Sequence, residues 1–128
     1  LSGTIGGSNA HAANMVAAIF LACGQDVAQI VDSSFCLTLL SRLPDNQLHV
    51  SVTMPCIQVG TVGGGTRLPP QQACLSMLLH GLGHEQDPTE RVAKCVAATV
   101  LAGELSLLGS LAEGSLMDAH LRLNRPNK

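Results

Sequence analysis

The chain has 128 residues, of which 46% are hydrophobic and only 12% are charged, and its net charge is −2. This length fits one domain or one piece of a larger one. The chain has no basic patch that could hold a phosphate backbone, so its composition argues against nucleic-acid binding. A small free-standing domain has much surface to cover. So few charges therefore predict that part of this surface is buried against something else.

The first predicted element is a helix over Ala10–Cys23, and its continuous apolar content predicts burial on most sides. Ser8 or Asn9 is placed to cap its start, and Gly24 is placed to end it. Asp26 has a glutamine three residues further on, a pattern similar to a capping box. It predicts a second, short helical turn.

The middle of the chain contains a segment that is predicted to form a strand. Two serines break the helical pattern before an apolar run over Cys36–Leu40. The segment QLHVSVTM, residues 47–54, alternates polar and apolar side chains, as a strand does. Pro55 interrupts this strand and the segment CIQVGTV is predicted to resume it, so a hairpin between the two is one possibility.

The second half of the chain predicts helices. One begins at Pro70 and runs to about Leu79. Asp87, followed by proline and a glutamate, marks the start of another, which runs to about residue 112. Gly114 interrupts it, and a last helical segment covers Leu116–Leu123. The predicted fold class is therefore α/β or α+β, rich in helix with a few strands.

Cysteine spacing and apolar runs exclude several classes of protein. There is no C-x-x-C pair, so neither a zinc site nor a disulfide framework is indicated, and we expect buried, reduced thiols. The cysteines are Cys23, Cys36, Cys56, Cys74 and Cys95. No signal peptide is evident, and no apolar run is expected to cross a bilayer, because Cys95–Ala112 contains Glu104. We therefore expect a soluble chain that makes no membrane contact.

Four polar residues are candidates for chemistry. Asp26 follows an apolar helix, where desolvation can shift a carboxyl pKa, although it could simply cap the next turn. His11 and Asn14 share one helical face and could touch a common ligand, or form a plain polar first turn. His120 could protonate a leaving group near physiological pH, or be a surface histidine. The local sequence alone favours the structural alternative for each of them.

A glycine cluster, VGTVGGGT, is the fifth candidate. Glycines let backbone N–H groups approach an anion closely. The spacing is G-x-x-G-G-G rather than G-x-G-x-x-G, so a plain turn is about as well supported as a phosphate cradle.

Several segments together resemble the catalytic domain of hydroxymethylglutaryl-coenzyme A (HMG-CoA) reductase, the mevalonate-forming family. They are GTIGGSNAHAAN, ACGQDVAQ, TMPCIQVGTVGGGT, PPQQACL, ATVLAGELSLLGSLAEG and AHLRLNR. They occur in the family's order and cover nearly the whole chain. The eukaryotic-type enzymes are the most similar, through TVGGGT and GELSL.

The resemblance implies reduction of a thioester by two NADPH, with release of mevalonate and coenzyme A. Asp26 matches the catalytic aspartate that tunes a lysine and a glutamate during hydride transfer, and His120 matches the histidine that protonates the coenzyme A thiolate. The residues that match the hydroxymethylglutaryl pocket or its apolar lining are His11, Asn14, Leu107 and Leu111. The residues that match the nicotinamide-nucleotide loop are Gly60, Thr61, Val62, Gly63, Gly64, Gly65 and Thr66.

Residues 1–128 would then form part of the large, substrate-binding catalytic domain. The small NADPH-binding domain, any membrane anchor, and the catalytic lysine and glutamate would lie outside the chain, so we expect the chain alone to be inactive. The full enzyme would be a homodimer or tetramer with a cytosolic catalytic part at the endoplasmic reticulum, where family members are statin targets.

Three positions depart from the family's pattern. Ile30 and Phe35 replace asparagines near the catalytic aspartate, which leaves open a diverged, non-catalytic scaffold. Pro126 replaces a phosphorylatable serine, so that off-switch is expected to be missing.

Overall fold

The structure, a computed structural model, describes residues 7–81, 83 and 86–124. Its strands are β1 (Gly7–Ser8), β2 (Cys36–Arg42) and β3 (Leu48–Thr53). Its helices are α1 (Ala12–Ala22), α2 (Ile30–Ser33), α3 (Pro69–Leu79), α4 (Pro88–Glu113) and α5 (Leu116–Asn124). The helix-rich α+β class predicted from the sequence is confirmed. Pro126 lies outside the described residues.

The strands form one mixed sheet in the order β1-β2-β3. β1 pairs with β2 in parallel. β2 pairs with β3 antiparallel, from Leu37 opposite Thr53 to Arg42 opposite Leu48. The apolar run that begins at Cys36 is thus the central strand. The predicted hairpin is wrong in its second half, because no strand forms between Pro55 and Gly63 and β3 pairs with the preceding strand instead.

The core lies between α1 and α4. Ala12, Val16 and Phe20 recur every four residues on α1 and are fully buried. α4 presents a matching row of valines, so the ridges of the two helices pack against each other. These valines are Val92, Val96 and Val100. The helices run antiparallel, since Cys23 near the end of α1 packs with Val92 near the start of α4.

The opposite face of α1 is not covered. Ala13, Asn14, Ala18 and Leu21 are exposed, so the prediction that α1 is buried on most sides is wrong for this chain. Among the described residues, α4 and the sheet pack against one side of α1. The other side of this apolar helix is exposed.

Several helix ends follow from their capping residues. The Asn9 side chain accepts a hydrogen bond from Ala12 N–H at 3.1 Å, and Asp87 Oδ1 accepts one from Thr89 N–H at 2.8 Å. Gly114 adopts a left-handed conformation (φ +77°) that ends α4, as its position predicts.

α4 is long and apolar enough to cross a membrane by length and composition, with a mean hydropathy of 1.7, contrary to the expectation from the sequence. Only 17% of that window is buried within this chain. Its valine face nevertheless packs on α1, and Glu104 lies in the same buried row. Those contacts give α4 a place in the core of this fold.

The cysteines are all reduced, as expected, but they are not all buried. Cys23 and Cys36 are buried, Cys74 and Cys95 are half-buried, and Cys56 is exposed. Burial raises the pKa of the Cys23 thiol, and the neighbouring Cys74 and Cys95 thiols act in the same direction. The described residues include no cluster of three or more His, Cys, Asp or Glu side chains that could hold a metal ion.

Candidate functional site

Asp26 begins the short turn after α1. Its Oδ1 accepts a hydrogen bond from Ala28 N–H at 2.9 Å, so the capping role predicted from the sequence is confirmed. The side chain is exposed in this chain and lines a cavity of about 400 Å³. The carboxylate is therefore accessible from the cavity, and these 128 residues alone do not shield it from water.

The glycine-rich loop forms the facing wall of this cavity. The loop residues that line it are Gly60, Val62, Gly63, Gly64 and Thr66. Thr61 and Gly65 belong to the same loop but do not line the cavity. Gly63 and Gly64 have positive φ values of +83° and +54°, which glycine adopts without strain.

Gln25 fastens this loop to the end of α1. Its Nε2 donates to the Gly60 carbonyl at 2.8 Å, and its Oε1 accepts from Gly60 N–H at 2.8 Å. Gly24 allows the close approach, because a Cβ at this position would lie 2.4 Å from the carbonyl carbon of Gly65. The spacing between Asp26 and the loop is thus fixed by Gly24 and Gln25, the two residues that precede Asp26.

A second polar site lies at the other end of α1. The fully buried Glu104 accepts hydrogen bonds through Oε1 from His11 N–H at 2.7 Å and through Oε2 from Ala10 N–H at 2.7 Å. Thr38 Oγ1 donates to Oε2 at 2.8 Å, and His11 Nδ1 lies 3.1 Å from Oε1. A carboxylate has about four lone-pair sites, and all are occupied here.

The balance of these interactions keeps Glu104 ionised. Burial, the largest influence, raises the pKa of the carboxyl group. The hydrogen bonds from Ala10, His11 and Thr38 lower it, and together they outweigh burial, so the pKa lies below its ordinary value. Burial also raises the pKa of the nearby Cys36 thiol; its bond with Thr38 opposes this rise, and the charge of Glu104 adds to it.

His11 and Asn14 lie in the first turn of α1 but have different surroundings. The His11 ring is half-buried against α4, whereas the Asn14 side chain is exposed. The backbone N–H of Asn14 donates to the His11 carbonyl at 2.9 Å. The His11 ring contacts Glu104 of α4, and a ligand that it shares with Asn14 stays a prediction.

His120 lies on α5 and lines a third region, an apolar cavity of about 250 Å³ between α4 and α5. Leu111 also lines this cavity, while Leu107, one turn earlier on α4, is half-buried and does not. His120 and Asp26 thus line different cavities. Within this chain the two predicted catalytic residues are not brought together.

The two departures near Asp26 lie away from its cavity. Ile30 is half-buried and packs against the α1–α4 core, and Phe35 is half-buried before β2. Neither side chain lines the cavity of Asp26 and the loop.

Sequence reasoning missed Glu104 and Gln25 as site residues. Glu104 was noted only as a charge inside an apolar run, although a lone acid continuing the spacing of a buried valine row was a signal that it had buried partners. Gln25 carried no local signal of its own, since its partner Gly60 lies 35 residues away.

A cavity lined by a few convergent polar groups, here including Gln25, Asp26 and Gln58, is the usual form of a small-molecule binding site. Comparison with known proteins identifies the family. The family model described as hydroxymethylglutaryl-coenzyme A reductase matches residues 1–125, and the chain belongs to this family.

Similar proteins come from plants and fungi. The chain is 49% identical over 132 residues to 3-hydroxy-3-methylglutaryl-coenzyme A reductase 2 of Arabidopsis thaliana, covering all of this chain and 23% of the relative. It is 52% identical over 129 residues to the reductase of Phycomyces blakesleeanus, covering 98% of this chain and 11% of the relative. The chain thus spans at most about a quarter of the length of these relatives.

Proposed function

We propose that this chain contributes one side of an active site that reduces HMG-CoA with two NADPH to mevalonate and coenzyme A. The observation that carries the proposal is the shared cavity of Asp26 and the loop Gly60–Thr66 in a member of this family. The Gln25 clamp sets the separation of the carboxylate from the loop. Preorganised groups of this kind are what hydride transfer to a thioester carbonyl requires.

Asp26 is proposed as the catalytic carboxylate. Its Oδ1 is bound by one backbone N–H, and a carboxylate can accept about three further hydrogen bonds. It is therefore able to bind a lysine ammonium and a protonated glutamate from the remainder of the enzyme. Its exposure in this chain is consistent with partners supplied by other residues.

The loop Gly60–Thr66 is proposed to hold part of NADPH, which supplies the hydride when bound. The cavity wall contains four glycines and the glutamines Gln25, Gln29 and Gln58. Such a wall suits the phosphate or carboxamide groups of a nucleotide.

His120 is proposed to protonate the departing coenzyme A thiolate. It lies beside Leu111 in an apolar cavity between α4 and α5. As a general acid it would give the imidazolium proton to the thiolate, leaving a neutral imidazole and the coenzyme A thiol. Leu107 and Leu111 would pack near the substrate, and His11 and Asn14 would line the hydroxymethylglutaryl pocket.

Because Asp26 and His120 line separate cavities, one site containing both requires residues from elsewhere. We propose that the remaining catalytic domain, a small NADPH-binding domain and a second protomer supply them. The complete protein would then resemble eukaryotic-type reductases, with a membrane anchor in the endoplasmic reticulum and a cytosolic catalytic part.

A non-catalytic scaffold is the second candidate, motivated by Ile30 and Phe35. Both side chains lie outside the lining of the Asp26 cavity, and Ile30 packs in the core. Their positions supply no reason for lost catalysis, which favours the enzyme.

The proposal is tested by Asp26→Asn in the complete protein. Asparagine also caps helical turns, so the fold should be retained. We expect mevalonate formation to fall about 100-fold or more, because the carboxylate takes part in proton transfer. Asp45→Asn is the matched control, since this exposed aspartate lies between β2 and β3, does not line the cavity, and has a left-handed conformation that asparagine also adopts. Near-normal turnover of Asp26→Asn would contradict the assignment.

A further inference from the structure

Glu104 is a buried carboxylate that the proposed mechanism does not use. It is fully buried on α4, yet it is aimed at the start of α1, where His11 lies. Each of its two oxygens accepts hydrogen bonds from a different set of partners. Oε1 takes both bonds from His11, whereas Oε2 takes those from Ala10 and Thr38.

This arrangement determines which nitrogen of His11 carries the proton. An ionised carboxylate only accepts hydrogen bonds, so the Nδ1 that faces Glu104 must donate. The other nitrogen, Nε2, is then left to interact with whatever occupies the proposed pocket.

α4 also restricts the position of the ring. A Cβ at Gly103 would lie 3.3 Å from His11 Cε1 and 2.8 Å from Met15 Cγ and Sδ. A side chain at this position would therefore require both Met15 and the His11 ring to shift. Gly103 and Glu104 therefore contact the His11 ring from two adjacent positions of α4.

We propose that Glu104 is a positioning residue that orients His11 and fixes its proton on Nδ1, so that Nε2 faces the acyl group of the substrate. The inference rests on the proposed role of His11 in the substrate pocket. Glu104 itself has no place for substrate, because its four acceptor sites are already filled by the chain.

The test is a double-mutant cycle in the complete protein with Glu104→Gln, His11→Ala and the double variant, measuring KM for HMG-CoA, kcat and the unfolding midpoint. Glu104→Gln should raise KM about tenfold, since the negative charge that strengthens the hydrogen bond to the ring is lost. In the His11→Ala background the same change should alter KM by less than about twofold.

Thr38→Val is the matched control. It removes a donor to Oε2 and leaves the Oε1 contacts with His11, so it should lower the unfolding midpoint without changing KM. If Glu104→Gln does not fold, Gly103→Ala replaces it, because its Cβ would press on the ring, 3.3 Å from Cε1, while the Glu104 side chain is kept. Its effect on KM should also vanish in the His11→Ala background.

Two results would overturn the inference, one by removing the role of Glu104 and the other by removing the role of His11. Equal increases in KM with and without His11 would mean that Glu104 acts only as a structural anchor. An unchanged KM in His11→Ala alone would remove the substrate role of His11 itself. The latter result would also count against that part of the proposed function, whereas the Asp26→Asn assay would be unaffected.

Discussion

At the scale of single residues, Glu104 links three parts of the chain. Its carboxylate binds the backbone before α1, the His11 ring and the Thr38 hydroxyl of β2. A buried charge without partners costs several kcal/mol, so this one is stable only while all its donors are in place. The same carboxylate also lies at the N-terminal end of α1, where the helix dipole favours a negative charge.

This environment predicts a pH-dependent stability. The pKa of Glu104 is lower in the folded chain than the ordinary value of 4.5, so its contribution is complete above the unfolded pKa and is lost as pH falls through the folded pKa. We expect Glu104→Gln to be clearly less stable than the parent protein at pH 7. The difference should narrow as the pH falls below 4.5, measured by urea unfolding across that range.

Glu113→Gln provides the control for this experiment, because Glu113 is an exposed carboxylate at the end of the same helix. It is expected to track the parent protein throughout. If the difference in unfolding free energy between Glu104→Gln and the parent stayed constant with pH, ionisation of Glu104 would not contribute to stability.

At the scale of elements, the junction between α1 and the glycine-rich loop determines the geometry of the proposed site. Gly24 has a φ of +66°, and Gly65 of the loop lies against it. The two segments therefore meet backbone to backbone, and Gln25 adds two hydrogen bonds across the junction.

Gly24→Ala is predicted to open this junction. The new Cβ would lie 2.4 Å from the Gly65 carbonyl, and the left-handed conformation would cost about 1–3 kcal/mol. We expect a lower unfolding midpoint and a KM for NADPH that rises more than the KM for HMG-CoA, measured in the complete protein.

Gly109→Ala is the matched control for this substitution. Gly109 lies within α4, and a Cβ there meets nothing within 4 Å. Alanine should stabilise the helix by about 1 kcal/mol and leave both KM values unchanged. If Gly24→Ala behaved in the same way, the close approach of the loop would have no functional importance.

Local chemistry explains which elements were predictable. Asp87, Gly114 and Gly24 mark helix ends through capping rules that depend on a few neighbouring residues, and the structure places these ends within one or two residues of the prediction. The apolar run from Cys36 gives no alternation and so predicts no strand, although β2 forms there. The false strand after Pro55 arose because pairing partners cannot be read from one segment.

The candidate site also has parts that short motifs predict and parts that depend on distant residues. The resemblance named Asp26 and the glycine loop, and the structure brings them to one cavity. The contact that holds them there joins Gln25 with Gly60, and the second polar site likewise joins His11 with Glu104. Periodicity and capping signals do not encode such long-range pairs.

At the scale of the whole molecule, the chain exposes more surface than its mass requires. Its accessible surface is 8940 Å², whereas a compact monomer of this mass exposes about 6400 Å². The excess is comparable to a large obligate interface. Exposed apolar side chains contribute to it, including Val31 and Val62, each 80% exposed, and Met77 at 71%.

We therefore predict that the isolated 128-residue polypeptide self-associates, binds a dye for exposed apolar surface such as ANS, and does not oxidise NADPH in the presence of HMG-CoA. The complete protein at the same concentration is the control, and it should bind little dye and turn over substrate. A monodisperse, dye-free polypeptide would contradict the predicted burial, and NADPH oxidation by it would contradict the predicted need for further chain.

Glu104 lies far along the sequence from the amides that donate hydrogen bonds to it, and this separation also constrains the order of events during synthesis. Glu104 follows Ala10 by 94 residues, so the beginning of α1 has no anchor until α4 has left the ribosome. At a typical rate of about 5–20 residues per second, the nascent start of the chain waits roughly 5–20 seconds for that partner. During this interval the unpaired apolar helix is the segment that a chaperone would need to protect.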